Sequence, residues 1–311
     1  MLVLSRHDVA ACLDEARLID AVADAFVALS DGRTSVPPRV GAASNSGLLA
    51  AMPAFASGLL ETKLVSVFPG NAETNTPTHQ AVIVLFDPDD GTPVALMDGT
   101  HITAVRTAAA TAVAVRELAR PGSGVLAIIG AGVQGRAHSR LVPLVRNFEE
   151  IRVASRTHAH AEQLAAECGG IPVASFADAV HDADVVCLCT DGVEPVLAAD
   201  AIAPGTVVAS VGASQRGGEL DPALIHRGRL FVESRVAFEP PPAGATELQG
   251  LDRDAASELG EVLTGRRPGR VDDNEILVYK SMGHAVEDAA AAAIVYARAH
   301  EQRRGAVIHI G

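Results

Sequence analysis

The sequence predicts an α/β protein of two domains, one with hairpin-joined strands and helices and one with a parallel sheet covered by helices. Three observations lead there. At 311 residues the chain is long enough for about two domains of ordinary size. Its pattern changes from consecutive strands to strict strand–helix alternation near Arg120-Pro121-Gly122-Ser123-Gly124, the clearest linker in the chain. Finally, hydrophobic residues make up 48% but aromatics only 3%, with no Trp, so the cores must rest on Ala, Val, Leu and Ile. Such residues suit helices packed on a sheet whose strands are buried on both faces.

In order along the chain, Asp14 can cap a helix whose apolar positions Leu18, Val22, Phe26 and Leu29 recur at helical spacing and which ends at Asp31-Gly32. Strands are expected at 48–52 and 60–68, then at 81–86 and 93–97, the last two flanking the hairpin turn Asp87-Pro88-Asp89-Asp90-Gly91. A helix of small residues at 104–119 leads into the linker. Beyond it, strands at Val125–Ile129, 151–155, 171–174, 185–189, 207–211, 230–233 and 276–279 alternate with helical segments, the signature of βαβ units and one parallel sheet. A final helix is expected at 285–303. Glu287 and Asp288 are read as serving its N-terminus rather than the chemistry.

The formal net charge of −13 argues against a nucleic-acid or anionic-membrane partner, since phosphate backbones need clustered Lys and Arg. No apolar stretch reaches the ~18 residues of a membrane helix. The start, Met1-Leu2-Val3-Leu4-Ser5-Arg6-His7-Asp8, lacks the pattern of a signal peptide. Cys12, Cys168, Cys187 and Cys189 form neither a CxxC pair nor a Cys/His metal spacing, so they read as small buried hydrophobes in a reducing cytoplasm, with no metal site expected.

The strongest local signal is Gly130-Ala131-Gly132-Val133-Gln134-Gly135, which follows the apolar strand Val125–Ile129 and opens a helical stretch, 133–145, that Pro143 should kink or end early. Gly130 permits the tight turn, Gly132 lets the backbone approach a pyrophosphate, and Gly135 lets helix and strand pack closely. The helix N-terminus then offers free N–H groups to the phosphates. This is a Rossmann dinucleotide site, expected to be held by Gly130, Ala131, Gly132, Val133, Gln134 and Gly135. The second strand ends in Ala154-Ser155-Arg156-Thr157, without the acid that would bind a ribose 2′-hydroxyl. Arg156 can instead pair with a 2′-phosphate, and Ser155 and Thr157 can donate hydrogen bonds to it. NADP(H) is therefore favoured over NAD(H), which stays possible.

Several stretches, in order over nearly the whole chain, together resemble the ornithine cyclodeaminase/μ-crystallin family. They are Thr62-Lys63-Leu64-Val65, Pro77-Thr78-His79-Gln80-Ala81, Met97-Asp98-Gly99, Ile102-Thr103-Ala104-Val105-Arg106-Thr107-Ala108-Ala109, the Gly130–Gly135 loop, Val211-Gly212-Ala213-Ser214, Glu219-Leu220-Asp221, Glu258-Leu259-Gly260-Glu261 and Lys280-Ser281-Met282-Gly283-His284-Ala285-Val286-Glu287-Asp288.

The resemblance implies a Rossmann domain plus an α/β substrate-binding and dimerisation domain, hence a homodimer. It implies too that the final helix returns to the first domain, so the domains are drawn as 1–119 with 285–311, and 120–284. It also implies a nicotinamide-dependent interconversion of an amino acid and its imine. By motif it carries over Arg39 (in Val36-Pro37-Pro38-Arg39), Lys63 and Arg106 as ligands of the substrate α-carboxylate, with His79 beside them and Lys63, or a water it orients, as proton donor. Thr190 and Lys280 join the cofactor contacts. A buried carboxylate does need paired cations, and a desolvated lysine can serve proton transfer.

Ser214 departs from the cyclodeaminase pattern, which has aspartate there. A serine hydroxyl cannot offer an ammonium a full charge but can hydrogen-bond an imine or a cofactor amide. The segment so resembles the μ-crystallin-like ketimine reductases, and Ser214 joins Lys63 and Arg106 as a catalytic residue. The expected function is an NAD(P)H-dependent imine reductase or amino-acid dehydrogenase. The alternatives are an ornithine/lysine cyclodeaminase and, in another class, a μ-crystallin-type protein that binds NADPH or a small ligand without turnover. Substrate side-chain specificity is expected from loops such as 238–250, stiffened by Pro240-Pro241-Pro242.

Overall fold

A computed structural model describes residues 1–212 and 217–309 as two compact units, Met1–Arg106 with His284–Gly311, and Thr107–Gly283. The first unit opens with β1 (Leu2–Leu4), α1 (Arg6–Cys12) and α2 (Glu15–Ser30). Ser5 and Asp8 start α1 as a capping box, each side chain taking the other's backbone N–H. Asp14 caps α2 by accepting from Arg17 N at 3.1 Å, and the helix buries Leu18, Val22 and Phe26.

The strands β2 (Val40–Ala43), β3 (Leu48–Ala56), β4 (Leu59–Val67), β5 (His79–Phe86) and β6 (Pro93–Asp98) follow as an antiparallel run. The turn after β5 closes through Gly91 N donating to Asp87 O at 2.9 Å. α3 (Gly99–Leu118) starts earlier than the sequence pattern suggests, because Asp98 Oδ1 accepts from His101 N at 2.8 Å and draws the first turn back to Gly99. Gly99 packs closely there, since a Cβ would lie 3.0 Å from Ala81 Cβ.

The second unit alternates as expected: β7 (Val125–Ile129), α4 (Val133–Leu141), β8 (Glu150–Ala154), α5 (His158–Cys168), β9 (Ile171–Pro172), α6 (Phe176–Val180), β10 (Val185–Leu188), β11 (Val207–Ser210), α7 (Pro222–Arg227), β12 (Arg229–Val232), β13 (Ser257–Glu258), α8 (Leu259–Leu263) and β14 (Leu277–Lys280). Every pairing is parallel, in the order β13-β12-β14-β11-β10-β7-β8-β9. The run β9-β8-β7-β10-β11-β14 is the Rossmann order, with its switch point between β7 and β10. β10, β11 and β14 are buried at every position, as strands covered on both faces must be. α4 ends at Leu141, and Pro143 lies in the 3₁₀ turn that follows. The helix is anchored by the buried His138, whose Nε2 lies 2.9 Å from Thr111 Oγ1 on α3.

Past β14 the chain rejoins the first unit as α9 (Ala285–Gln302), which lies against α1, α2, β3 and β4, and then β15 (Ala306–Val307). The first unit's sheet, among the described residues, runs β15-β1-β6-β5-β4-β3-β2. Its inner face buries Ala50, Met52, Ala54, Val65 and Ala81 with Ala285 of α9. Its outer face carries Phe55, Leu60 and Phe86 in one cross-strand row and Ala51, Leu64 and Val82 in another. On that face Leu49, Phe55, Leu60 and Val82 are 38–50% exposed. Among the described residues no helix is long and apolar enough to cross a membrane.

Candidate active site

Two sets of functional side chains stand out, one in each unit. In the first unit, alternation along β4 turns Lys63 to the inner face, where it is 1% exposed. Arg106, seven residues into α3, is 4% exposed, and Glu287 and Asp288 in the first turn of α9 are fully buried. Lys63 Nζ lies 2.7 Å from Asp288 Oδ2. Arg106 donates from Nε to Asp288 Oδ1 at 3.0 Å and from Nη1 to Glu287 Oε2 at 2.8 Å. Glu287 also takes the His284 N–H on Oε1 at 2.7 Å. The expectation for these two acids therefore needs correcting. Glu287 does cap α9, but both carboxylates also pair with Lys63 and Arg106, because buried charges must be paired.

The electrostatics follow from this packing. Burial, then the neighbouring Arg106 guanidinium, brings the Lys63 ammonium down to about 8 against the pull of Asp288. Burial would push Asp288 up, but Arg106 and Lys63 outweigh it and hold the carboxyl below its ordinary range. The charge of Arg39, just before β2, is felt at both Lys63 and His284. Burial and then Arg39 push His284 down to about 4, so it is neutral, and its buried Nδ1 has no hydrogen-bond partner. His79 opens β5 at an exposed position, yet protein atoms around its ring, then the charge of Lys63, lower its pKa. Arg39, Lys63, His79 and Arg106 thus share one electrostatic neighbourhood. Within it Lys63 pairs with Asp288, and Arg106 with both Asp288 and Glu287. Among the described residues Asp288 is the acid that Lys63 ion-pairs with.

Glu61 was not found by the sequence reading. It sits two residues before Lys63 on the same face of β4, 2% exposed, with neither carboxyl oxygen hydrogen-bonded. Burial, then Asp288, pushes its pKa up to about 9. The period-2 alternation that turns Lys63 inward already puts Glu61 there.

In the second unit the glycine-rich loop fits a dinucleotide. Gly130 adopts φ +106°, and its N–H donates to Ala154 O at the end of β8. A Cβ on Gly135 would stand 1.9 Å from Gly130 O, so only glycine lets α4 pack on this turn. Gly132, the N-cap of α4, makes no side-chain cap bond, and a Cβ there would meet nothing within 4 Å. The exposed Gly132 and Val133 therefore leave open room beside the free N–H groups of a helix N-terminus, which is what a pyrophosphate needs. Ala131 is buried beneath them, and the Gln134 Oε1 is buried without a partner. At the end of β8, Ser155 is half-buried while Arg156 and Thr157 are exposed. Arg156 reaches only a distant contact with Asp191, at 4.0 Å.

A buried carboxylate ties the neighbouring strand ends together. Glu219 accepts from Thr190 N and Oγ1 at 2.8 and 2.6 Å, from Ser210 Oγ at 3.0 Å and from Gly212 N at 2.6 Å. Lys280 Nζ donates to Ser210 Oγ, Gly212 O and Glu247 Oε1. Lys280 is fully buried. Its ammonium and the Thr190 hydroxyl are thus engaged inside the unit, shaping the ends of β10, β11 and β14 where a Rossmann ligand lies. Neither extends a free side chain. Ser214 lies outside the described residues.

Comparisons with known proteins give the family and the fold. The model of the ornithine cyclodeaminase/mu-crystallin family matches residues 1–303. The ketimine reductase mu-crystallin of Mus musculus is 41% identical over 273 residues, covering 86% of each chain. The structure of Thermococcus litoralis Delta(1)-pyrroline-2-carboxylate reductase in complex with NADH and L-proline superimposes with a TM-score of 0.93 at 34% identity, over 99% of this chain and 100% of that one. An archaeal alanine dehydrogenase dimer with bound NAD gives 0.90 at 28% identity, over 100% and 99%.

Proposed function

The chain belongs to the ornithine cyclodeaminase/mu-crystallin family, and from that premise we propose that it is an NAD(P)H-dependent reductase that converts an α-imino acid to the amino acid and can run in reverse. The observation that carries this reading is the buried cluster in which Glu287 and Asp288 hold Lys63 and Arg106 side by side, with the charge of Arg39 felt at Lys63. Clustered cations suit an α-carboxylate, held by charge-assisted hydrogen bonds. Asp288 and Glu287 fix the two cations beforehand, so little reorganisation is needed when substrate binds.

When bound, the dinucleotide supplies the hydride. The protein's share is orientation and a proton. Lys63, buried and lowered to about 8, still carries its proton near neutrality and can release it from Nζ to the substrate nitrogen. Ser214, where a cyclodeaminase has aspartate, offers a neutral hydroxyl that serves a C=N bond better than an ammonium. NADPH oxidation measured against pyruvate with amines, cyclic ketimines and iminosuccinate precursors tests the reading. It fails if no imine is consumed.

NADP(H) is the preferred cofactor in this proposal. No acid closes β8, and the exposed Arg156 is available to a 2′-phosphate, its contact with Asp191 being too long and too solvated to hold it. Arg156→Ala should weaken NADPH binding by about 1–3 kcal/mol and leave NADH binding nearly unchanged. Steady-state kinetics with both cofactors decides this, and kcat/KM favouring NADH in the parent enzyme would refute it.

The active species is a homodimer joined through the outer face of the first unit's sheet. Rows such as Phe55-Leu60-Phe86 are too apolar for a solvated sheet face and suit a second copy. Light scattering should give a dimer at micromolar protein and a monomer after Leu60→Asp. A monomeric parent protein would remove the proposal. Four unpaired cysteines fit a reducing, cytoplasmic setting.

A further inference from the structure

We propose that Glu61 is the proton reserve behind Lys63, its carboxylic acid returning a proton to the Lys63 amine once that amine has protonated the substrate nitrogen. This rests on the imine-reductase reading above. The geometry is specific. Glu61 and Lys63 stand two residues apart on one face of β4, about 7 Å along the strand, and the charge of Lys63 is felt at Glu61. Glu61 is 2% exposed, its oxygens bond to no other group, and its cross-strand neighbours are the apolar Ala54 and Leu85.

A leucine would fill the same space without stranding two polar atoms, which makes Glu61 a poor choice for packing alone. The charged and titratable groups around the pair are Arg106 from α3, Glu287 and Asp288 from α9, Arg39 ahead of β2, His79 on β5 and His284 before α9. Burial and the Asp288 carboxylate keep Glu61 protonated up to about pH 9, while Lys63 ionises near 8. Burial thus raises the carboxyl and lowers the ammonium, bringing the two groups toward each other.

The step balances. The substrate carbon takes a hydride from the reduced nicotinamide, which is oxidised, while an N–H bond forms as an Nζ–H bond of Lys63 breaks. An Oε–H bond of Glu61 then breaks as the Nζ–H bond reforms, leaving a carboxylate beside an ammonium. That carboxylate regains a proton from solvent as product leaves. In this scheme Glu61 acts through Lys63 and is a positioning residue for the proton.

The test is Glu61→Gln, which keeps size and polarity but holds no proton to give, with Glu61→Asp as a second variant that restores an acid. We expect Glu61→Gln to keep KM and the melting temperature, to lower kcat about tenfold, and to show a larger solvent isotope effect with an alkaline limb shifted to lower pH. Glu61→Asp should recover part of kcat. Infrared difference spectra at neutral pH should show the carbonyl stretch of a protonated carboxyl in the parent protein and not in Glu61→Gln. An unchanged kcat, pH profile and isotope effect in Glu61→Gln, or an infrared band that persists in it, overturns the proposal. A parent protein that reduces no imine refutes the functional reading and this step together, whereas the infrared band alone still decides whether Glu61 holds the proton.

Discussion

Arg106→Met should lose about 3–5 kcal/mol of stability and reduce kcat/KM by about 100- to 1000-fold. The stability loss follows because Arg106 is almost fully buried and bonds to both Asp288 and Glu287. With the guanidinium gone, Glu287 and Asp288 each lose a buried cationic partner, and breaking a buried pair costs far more than the pair contributes intact. Lys63 also loses the repulsion that lowers its pKa, so its proton is held more tightly and is a poorer gift to the substrate nitrogen. Arg106→Lys restores the charge but not the planar fork that meets two carboxylates at once. It should recover much of the stability and little of the activity. Urea unfolding beside steady-state kinetics reads both effects, and a melting curve for Arg106→Met that overlays the parent's contradicts the cluster.

The second large effect belongs to the glycine-rich loop, where two alanines should behave differently. Gly135→Ala puts a methyl 1.9 Å from Gly130 O, so α4 must move off the turn. Overpacking of this kind costs about 1–3 kcal/mol, and dinucleotide binding should fall more than about 100-fold because the helix N-terminus shifts with it. Gly132→Ala meets nothing within 4 Å and should leave the melting temperature alone. It should still weaken binding, because its methyl occupies the space a pyrophosphate approaches. Fluorescence titration with NADPH and thermal melts of both variants measure the contrast. Equal stability losses in the two would contradict the packing described for α4.

Much of the fold was legible in periodicity. The hairpin turn at Asp87–Gly91, the buried strands of the parallel sheet and the early end of α4 at Pro143 all follow from local chemistry that tertiary contacts reinforce. β1, β2 and β15 escaped notice for a physical reason. They are two to four residues long, and β2 and β15 are exposed throughout, so neither length nor alternation marks them. α1 was legible in principle, since Ser5 and Asp8 have capping-box spacing, but seven residues give too little amphipathic pattern to stand out.

At the site, Lys63, Arg39 and Arg106 came from motif resemblance, while their partners did not. Asp288 and Glu287 meet Lys63 and Arg106 across 181 to 225 positions of sequence, and local helix logic had assigned both acids to the dipole. Glu61 was hidden for a different reason. A charged residue in a strand reads as solvent-facing until the face it shares with Lys63 is known to be buried.

The most direct test of the central claim is isotopic. The protein is incubated with a cyclic ketimine and NADPH deuterated at the transferring position of C4, and separately with L-ornithine or L-lysine and catalytic NAD(P)+. Reduction at the carboxylate cluster predicts one deuterium on the α-carbon of the amino-acid product, one NADP+ formed per product, and no ammonia from the diamino acids. Proline or pipecolate with ammonia from the second mixture, together with no oxidation of NADPH in the first, would contradict it.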